Sequence, residues 1–99
     1  GADYVYSRNW FGKDFYQIGK EAEIKRASAD KYKDWICDEE KMKTANLGAK
    51  FIHPMPVDEG AEVTREVNQG KRSIVMDIAE NRLHVQKAIM ALTMAEKYK

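Results

Sequence analysis

Phe51-Ile52-His53-Pro54-Met55-Pro56 constrains this chain more than any other stretch. Aromatic and β-branched residues lead straight into two prolines. Each proline removes a backbone donor and fixes φ, so a strand here has to stop at once. A strand is therefore expected over Lys50 to His53, with His53 and the carbonyl of Met55 displayed at its end. Met55-Pro56 is a candidate cis peptide, which would turn that carbonyl outward. Downstream, Ala79-Glu80-Asn81-Arg82-Leu83-His84 reads as the opening turn of a long helix. A rigid strand end facing a helix N-terminus that carries an arginine is a place to hold a small anion.

The remaining elements follow from local chemistry. Tyr4 to Ser7 reads as a short buried strand, and the aromatic, glycine-punctuated stretch from Trp10 to Tyr16 as a surface loop. Lys20 to Arg26 has helix-forming composition. Asp38 is placed to cap a short helix, with acidic residues behind it and a stop near Asn46 to Gly48. Val63 to Val67 predicts a second short helix closed by Gly70, and Ser73 to Met76 a third strand centred on Ile74 and Val75. From Ile78 to about Lys97 one long helix is expected, with Ile78, Val85, Ile89 and Leu92 at helical spacing. Strands alternating with helices imply an α/β fold, a parallel sheet flanked by helices in three layers.

Ninety-nine residues allow one small domain. The net charge of +1, with both signs spread along the chain, argues against a nucleic-acid partner. No stretch approaches the roughly 20 apolar residues of a membrane span, so no membrane partner is expected. The single cysteine, Cys37, excludes an internal disulfide and reads as a small buried hydrophobe in a reducing, cytoplasmic setting. Gly1-Ala2-Asp3 runs directly into the apolar Tyr4-Val5-Tyr6 without an initiator methionine, and three strands are few for such a sheet. Both features lead to the expectation that a longer protein has been cut.

Ligands bind beyond the carboxyl ends of strands in open α/β sheets, and the candidate residues cluster there. At His53, Pro54, Met55 and Pro56 the plainer reading of spacing alone is an ordinary strand exit, with His53 a satisfied structural hydrogen-bonder. Arg82 is unhelpful to the first turn of a helix, whose dipole favours acids. It is there either for an anion, matched by its forked donors, or for a surface ion pair with Glu80 or Asp77. Arg8 follows the first strand and projects from the same edge, either to read a carboxylate or as a solvated arginine beside Trp10. Trp10 either walls a pocket or covers the core edge. His53 and His84 have no local ligand partner, so no metal site and no cofactor are expected.

From Phe51 to Met90, and back to Ala2-Asp3-Tyr4-Val5-Tyr6, the chain resembles the C-terminal region of the aspartate/ornithine carbamoyltransferase family. The resemblance implies part of a doubly wound domain that binds the amino-acid acceptor, over 1–77. It also implies a long C-terminal helix, over 78–99, that returns to a carbamoyl-phosphate domain absent from this chain. The activity implied is transfer of a carbamoyl group from carbamoyl phosphate to aspartate, ornithine or an N-acylated ornithine, releasing phosphate. The parent would be an oligomer, typically a trimer, and the 99 residues alone inactive. His53-Pro54-Met55-Pro56 matches the family's His-Cys-Leu-Pro or His-Pro-Leu-Pro loop, whose third carbonyl takes the carbamoyl amino group. Arg82, in Glu80-Asn81-Arg82, matches an arginine that contacts carbamoyl phosphate in ornithine-type members. Catalytic roles thus fall to Arg82, Met55 and His53, and substrate binding to Arg8, Trp10, Pro54 and Pro56. Away from its docking surface the last helix is expected to expose Leu83, Met90 or Met94.

The departures pull in two directions. Arg8, Phe11-Gly12-Lys13 and Pro54 stand where ornithine enzymes carry Asp, a Ser-Met-Gly loop and Cys, and so look like the aspartate branch. Trp10 and Asn81-Arg82-Leu83-His84 resemble the ornithine and N-acetylornithine branch. Glu59 stands where many members have arginine. The acceptor is open between them, with a carboxylate contact to Arg8 expected. The reading from a different class is a free-standing, non-catalytic α/β module that binds a metabolite or a partner protein.

Overall fold

The computed structural model describes residues 1–8, 21 and 34–95. The expectations for Trp10, for the aromatic loop and for a helix at Lys20 to Arg26 lie outside them. Two strands, β1 (Tyr4–Tyr6) and β2 (Lys50–Ile52), pair in parallel, with Tyr4 opposite Lys50, Val5 opposite Phe51 and Tyr6 opposite Ile52. Between them in sequence lies helix α1 (Glu39–Lys43), and after them come α2 (Arg65–Asn68) and α3 (Val75–Met94). The arrangement is mixed α/β with a parallel sheet and a long final helix.

Local chemistry explains the short helix well. Asp38 accepts the Lys41 backbone N–H at 2.8 Å, and this bond holds its carboxyl below the usual aspartate range. Glu39 and Glu40 complement the dipole in the first turn. Helix α2 starts at Arg65, later than its sequence suggested. Val63 is engaged beforehand in parallel bridges to Cys37 and Glu59, so its backbone is extended rather than helical.

Three expectations need correction. β1 is not buried: Tyr4 and Tyr6 are exposed and only Val5 packs against the core, because successive strand side chains point to opposite faces. The third strand at Ser73 to Met76 reduces to a single parallel bridge between Ser73 and Phe51. The Phe51 backbone N–H donates to Arg72 O at 2.9 Å and its carbonyl accepts from Ile74 at 3.0 Å, after which the chain turns into α3. β-branched Ile74-Val75 suits a strand, but Val75 and Ile78 also lie on one helical face. A helix of 20 residues carries its first turn along cooperatively. Helix α3 consequently begins at Val75 and not at Ile78.

Among the described residues the core consists of Cys37, Met42, Ala49, Phe51, Val63, Val67 and Val75. Cys37 is a buried free thiol, as its apolar neighbours implied. Arg72 ties the core's two sides together: its guanidinium donates to Met42 O at 2.9 Å and stands 3.6 Å from Glu39. Beyond its first turns α3 runs free, with Leu83, Val85, Ile89, Met90, Leu92 and Met94 all at least half exposed. The apolar spacing seen in the sequence thus finds no cover among the described residues. Among the described residues no helix is long and apolar enough to cross a membrane.

Gly70 closes α2 where no side chain fits. A Cβ there would run into the carbonyl oxygen of Glu66, which is backbone and cannot step aside. Gly70→Ala is expected to cost about 1–3 kcal/mol, the range of overpacked sites. Urea unfolding checks this, and an unchanged midpoint would refute it.

Candidate functional site

Parallel pairing brings the carboxyl ends of β1 and β2 to the same edge. Ser7-Arg8 leaves from one strand and His53-Pro54-Met55-Pro56 from its neighbour. Arg8 is exposed and, among the described residues, has no ion-pair partner. His53 is buried at 3% exposure, with its ring centroid 6.2 Å from Tyr6 and 6.5 Å from Phe51.

The loop then takes a shape that proline chemistry prepares. Met55-Pro56 is a cis peptide, the candidate the sequence offered. Met55 itself sits at φ 63, left-handed backbone that a non-glycine residue rarely adopts. Its N–H donates back to His53 Nδ1 at 3.0 Å, closing a tight turn. Met55 is 41% exposed and lies on one wall of an open cleft of about 390 Å³. Asn68, Gly70, Ser73 and Asp77 also line that cleft.

Arg82 reaches this loop from α3. One guanidinium nitrogen donates to the Pro54 carbonyl at 3.3 Å, and no carboxylate partner holds it among the described residues. The expectation that Arg82 occupies the first helical turn is corrected. With α3 starting at Val75, it lies in the third turn, where the terminal dipole has little force. Its free donors, rather than the helix end, give it anion-binding capacity. Glu80, one of its imagined partners, stands 3.8 Å from His84 instead.

Two features escaped the sequence. Glu62 is 1% exposed, and its Oε1 lies 2.6 Å from His53 Nε2. Its carboxylate is flanked by Ala61 and Val63, an apolar setting that was the only available hint. Glu59 is also clamped: Asn68 and Gln69 side-chain amides both donate to its Oε1 at 2.7 Å. Those bonds hold its carboxyl below the usual glutamate range. No cluster of three or more potential metal ligands occurs among the described residues.

Burial pushes the Glu62 carboxyl above the usual glutamate range, against the opposing pull of the Asp58 N–H. A raised folded-state pKa means that the native chain holds this proton more tightly than the unfolded one. The resulting stabilisation is fully present below the ordinary glutamate value of about 4.3 and fades as pH rises through the higher folded value. Denaturant midpoints from about pH 4 to about pH 7 should therefore fall less in Glu62→Gln than in the parent chain. Parallel pH profiles would contradict this.

Comparison with known proteins matches this geometry to one family. The profile described as aspartate/ornithine carbamoyltransferase, Asp/Orn binding domain, matches residues 1–93. An ornithine carbamoyltransferase of Dechloromonas aromatica is 44% identical over 94 residues, covering 95% of this chain and 29% of its own length. The crystal structure of the Pyrococcus furiosus ornithine carbamoyltransferase superposes with a TM-score of 0.77 at 36% identity, over 96% of this chain and 28% of that one. A mutant N-acetyl-L-ornithine transcarbamylase, complexed with carbamyl phosphate and N-succinyl-L-norvaline, gives 0.71 at 40% identity over 92% and 26%. The chain thus spans under a third of its relatives' length. A profile that runs through both strands, the proline loop and nearly all of α3 leaves one assignment: the chain belongs to the aspartate/ornithine carbamoyltransferase, Asp/Orn-binding-domain family.

Proposed function

We propose that this chain is the acceptor-binding part of a carbamoyltransferase that moves a carbamoyl group from carbamoyl phosphate to the amino group of an amino acid. The observation that carries the reading is the meeting of Arg82 with the proline loop at the strand edge, 3.3 Å from the Pro54 carbonyl. A doubly charged phosphate and a carbamoyl amide need opposite kinds of partner within a few ångströms. Arg82 supplies cationic donors, while Pro54 and Met55 supply carbonyl acceptors.

In this reading the acceptor amine attacks the carbamoyl carbon in its neutral form. The new C–N bond forms, the bond to the bridging oxygen breaks, and phosphate leaves with that electron pair. The amine proton passes to phosphate or solvent. Negative charge grows on the carbonyl and phosphate oxygens, so fixed cationic donors and orientation supply most of the acceleration. The Met55 carbonyl takes a carbamoyl N–H, Pro54 and Pro56 stiffen the turn, and Arg8 pairs with a carboxylate of the acceptor, with Trp10 beside it. Residues 1–77 are part of the doubly wound, three-layer acceptor domain, and 78–99 carry the long helix back toward the carbamoyl-phosphate domain. The whole enzyme is a cytoplasmic homo-oligomer, a trimer.

The test is a transfer assay on the protein carrying this segment. Carbamoyl phosphate is offered with aspartate, ornithine, N-acetylornithine and N-succinylornithine. Turnover on one acceptor is expected. Failure on all four, with carbamoyl phosphate bound or not, would overturn the assignment of this acceptor class.

A further inference from the structure

Glu62 and His53 form an enclosed pair that the transfer chemistry leaves unused. Both are almost wholly removed from solvent, at 1% and 3% exposure. Glu62 Oε1 lies 2.6 Å from His53 Nε2 and accepts the Asp58 backbone N–H at 3.4 Å. The two atoms are close without meeting as a hydrogen bond: His53 Nε2 and Glu62 Oε2 are both buried with no hydrogen-bond partner among the described residues. A carboxylate in such a place is costly unless it is paired and hydrogen-bonded, and here one oxygen has His53 and the Asp58 N–H beside it.

The second ring nitrogen shows what depends on the pair. His53 Nδ1 accepts the Met55 backbone N–H at 3.0 Å. A nitrogen that accepts carries no proton, so the neutral ring carries its proton on Nε2, toward Glu62. The imidazole is thereby hydrogen-bonded at Nδ1 and pressed at Nε2 against Glu62, with the rings of Tyr6 and Phe51 tilted beside it. Its Nε2 is buried against the Glu62 carboxyl rather than open at the strand edge. What it does touch is the backbone of Met55, held at φ 63, a conformation that persists only where surrounding groups impose it.

We propose that Glu62 and His53 act together as positioning residues: the carboxylate fixes the imidazole, the imidazole fixes the Met55 N–H, and the Pro54 and Met55 carbonyls are thereby set at the strand edge. Glu62 is thus a residue of the site although it never meets a ligand, and His53 is a bracket rather than an acid or base. The consequence for transfer rests on the carbamoyltransferase reading. The Glu62–His53–Met55 connection does not.

Nitrogen-15 NMR of the protein carrying this segment tests the connection without any assay of activity. The expected result is an unprotonated Nδ1 and a protonated Nε2 on His53. In Glu62→Gln both the Nε2–H and the Met55 amide resonances should move, with faster exchange of that amide. A proton on Nδ1 in the parent protein, or an unmoved Met55 amide in the variant, would overturn the proposal. Should Glu62→Gln fail to fold, the Met55 amide is read in His53→Asn, whose side-chain oxygen replaces the Nδ1 acceptor. There the amide should stay bonded and protected, and its loss would count against the bracket.

Kinetics supply the second arm. His53→Asn keeps the acceptor toward Met55, whereas His53→Gln keeps only the donor toward Glu62. kcat should stay within about tenfold in the first and fall about 100-fold in the second, the scale of a misplacement near 1 Å. The pH–rate profile should keep its shape in both. Equal losses with a vanished limb of that profile would make His53 a proton carrier and overturn the proposal. An inactive parent protein would refute the carbamoyltransferase reading alone, and the NMR arm would still decide the pair.

Discussion

Phe51→Ala is expected to unfold most of this chain under conditions where the parent sequence is folded. Phe51 is fully enclosed and is the largest such side chain among the described residues. It packs with Cys37, Met42, Val63, Val67 and Val75, so one ring serves both short helices and the start of α3. Truncating a buried phenylalanine to alanine costs about 3–5 kcal/mol through lost transfer energy and the cavity left behind. Whole domains are stable by only about 5–15 kcal/mol, and a core this small belongs at the low end. Far-ultraviolet circular dichroism in a urea titration measures it, with Phe51→Leu as the milder comparison. A loss below about 1 kcal/mol would mean that the neighbouring side chains close the cavity, contrary to the fixed backbone on both sides of Phe51.

That fixed backbone also explains which parts of the molecule were legible beforehand. The Asp38 cap, the end of β2 at its prolines and the cis bond at Met55-Pro56 all rest on chemistry within a few residues. Proline and N-cap chemistry act locally, so sequence reports them directly. The Ser73 to Met76 segment could not be read that way. Ile74 and Val75 have strand character, yet a single bridge to Phe51 is all the sheet takes before the helix claims them. Moving the helix start to Val75 then shifted Arg82 from the first turn to the third. The arginine reached the proline loop all the same, because the loop and α3 meet through β2.

Glu62 marks the deeper limit. A charged residue in a loop is ordinarily solvated, and nothing within Gly60-Ala61-Glu62-Val63 says that His53 waits inside the fold. Only the closure of Val63 onto Cys37 and Glu59 carries the carboxylate inward. The exposed apolar residues of α3 illustrate the converse. Their helical spacing was plain, and it marks a face that the described residues do not cover.

Arg82→Ala should produce the largest functional change of any single substitution here, lowering kcat/KM for carbamoyl transfer about 10²–10³-fold. That is the scale of removing one preorganised donor from developing oxyanion charge, about 2.7–4 kcal/mol. The same substitution should leave folding nearly untouched. Arg82 is exposed, and its one contact among the described residues is the 3.3 Å bond to Pro54 O, a weak link at the surface. Surface changes of this kind usually stay within about 0.5 kcal/mol. The separation of the two effects is what makes the experiment decisive. A residue placed for packing would lower thermal stability and activity together, whereas a ligand-directed guanidinium lowers activity alone. Arg82→Lys sharpens the distinction: it restores the charge without the planar fork. If charge alone mattered, lysine would recover most of the rate. In the proposed reading Arg82 spends one donor on the Pro54 carbonyl and has others for an anion, so lysine is expected to recover only part of it. Equal activity in all three forms would remove Arg82 from the site and leave the strand edge with Arg8 as its cation.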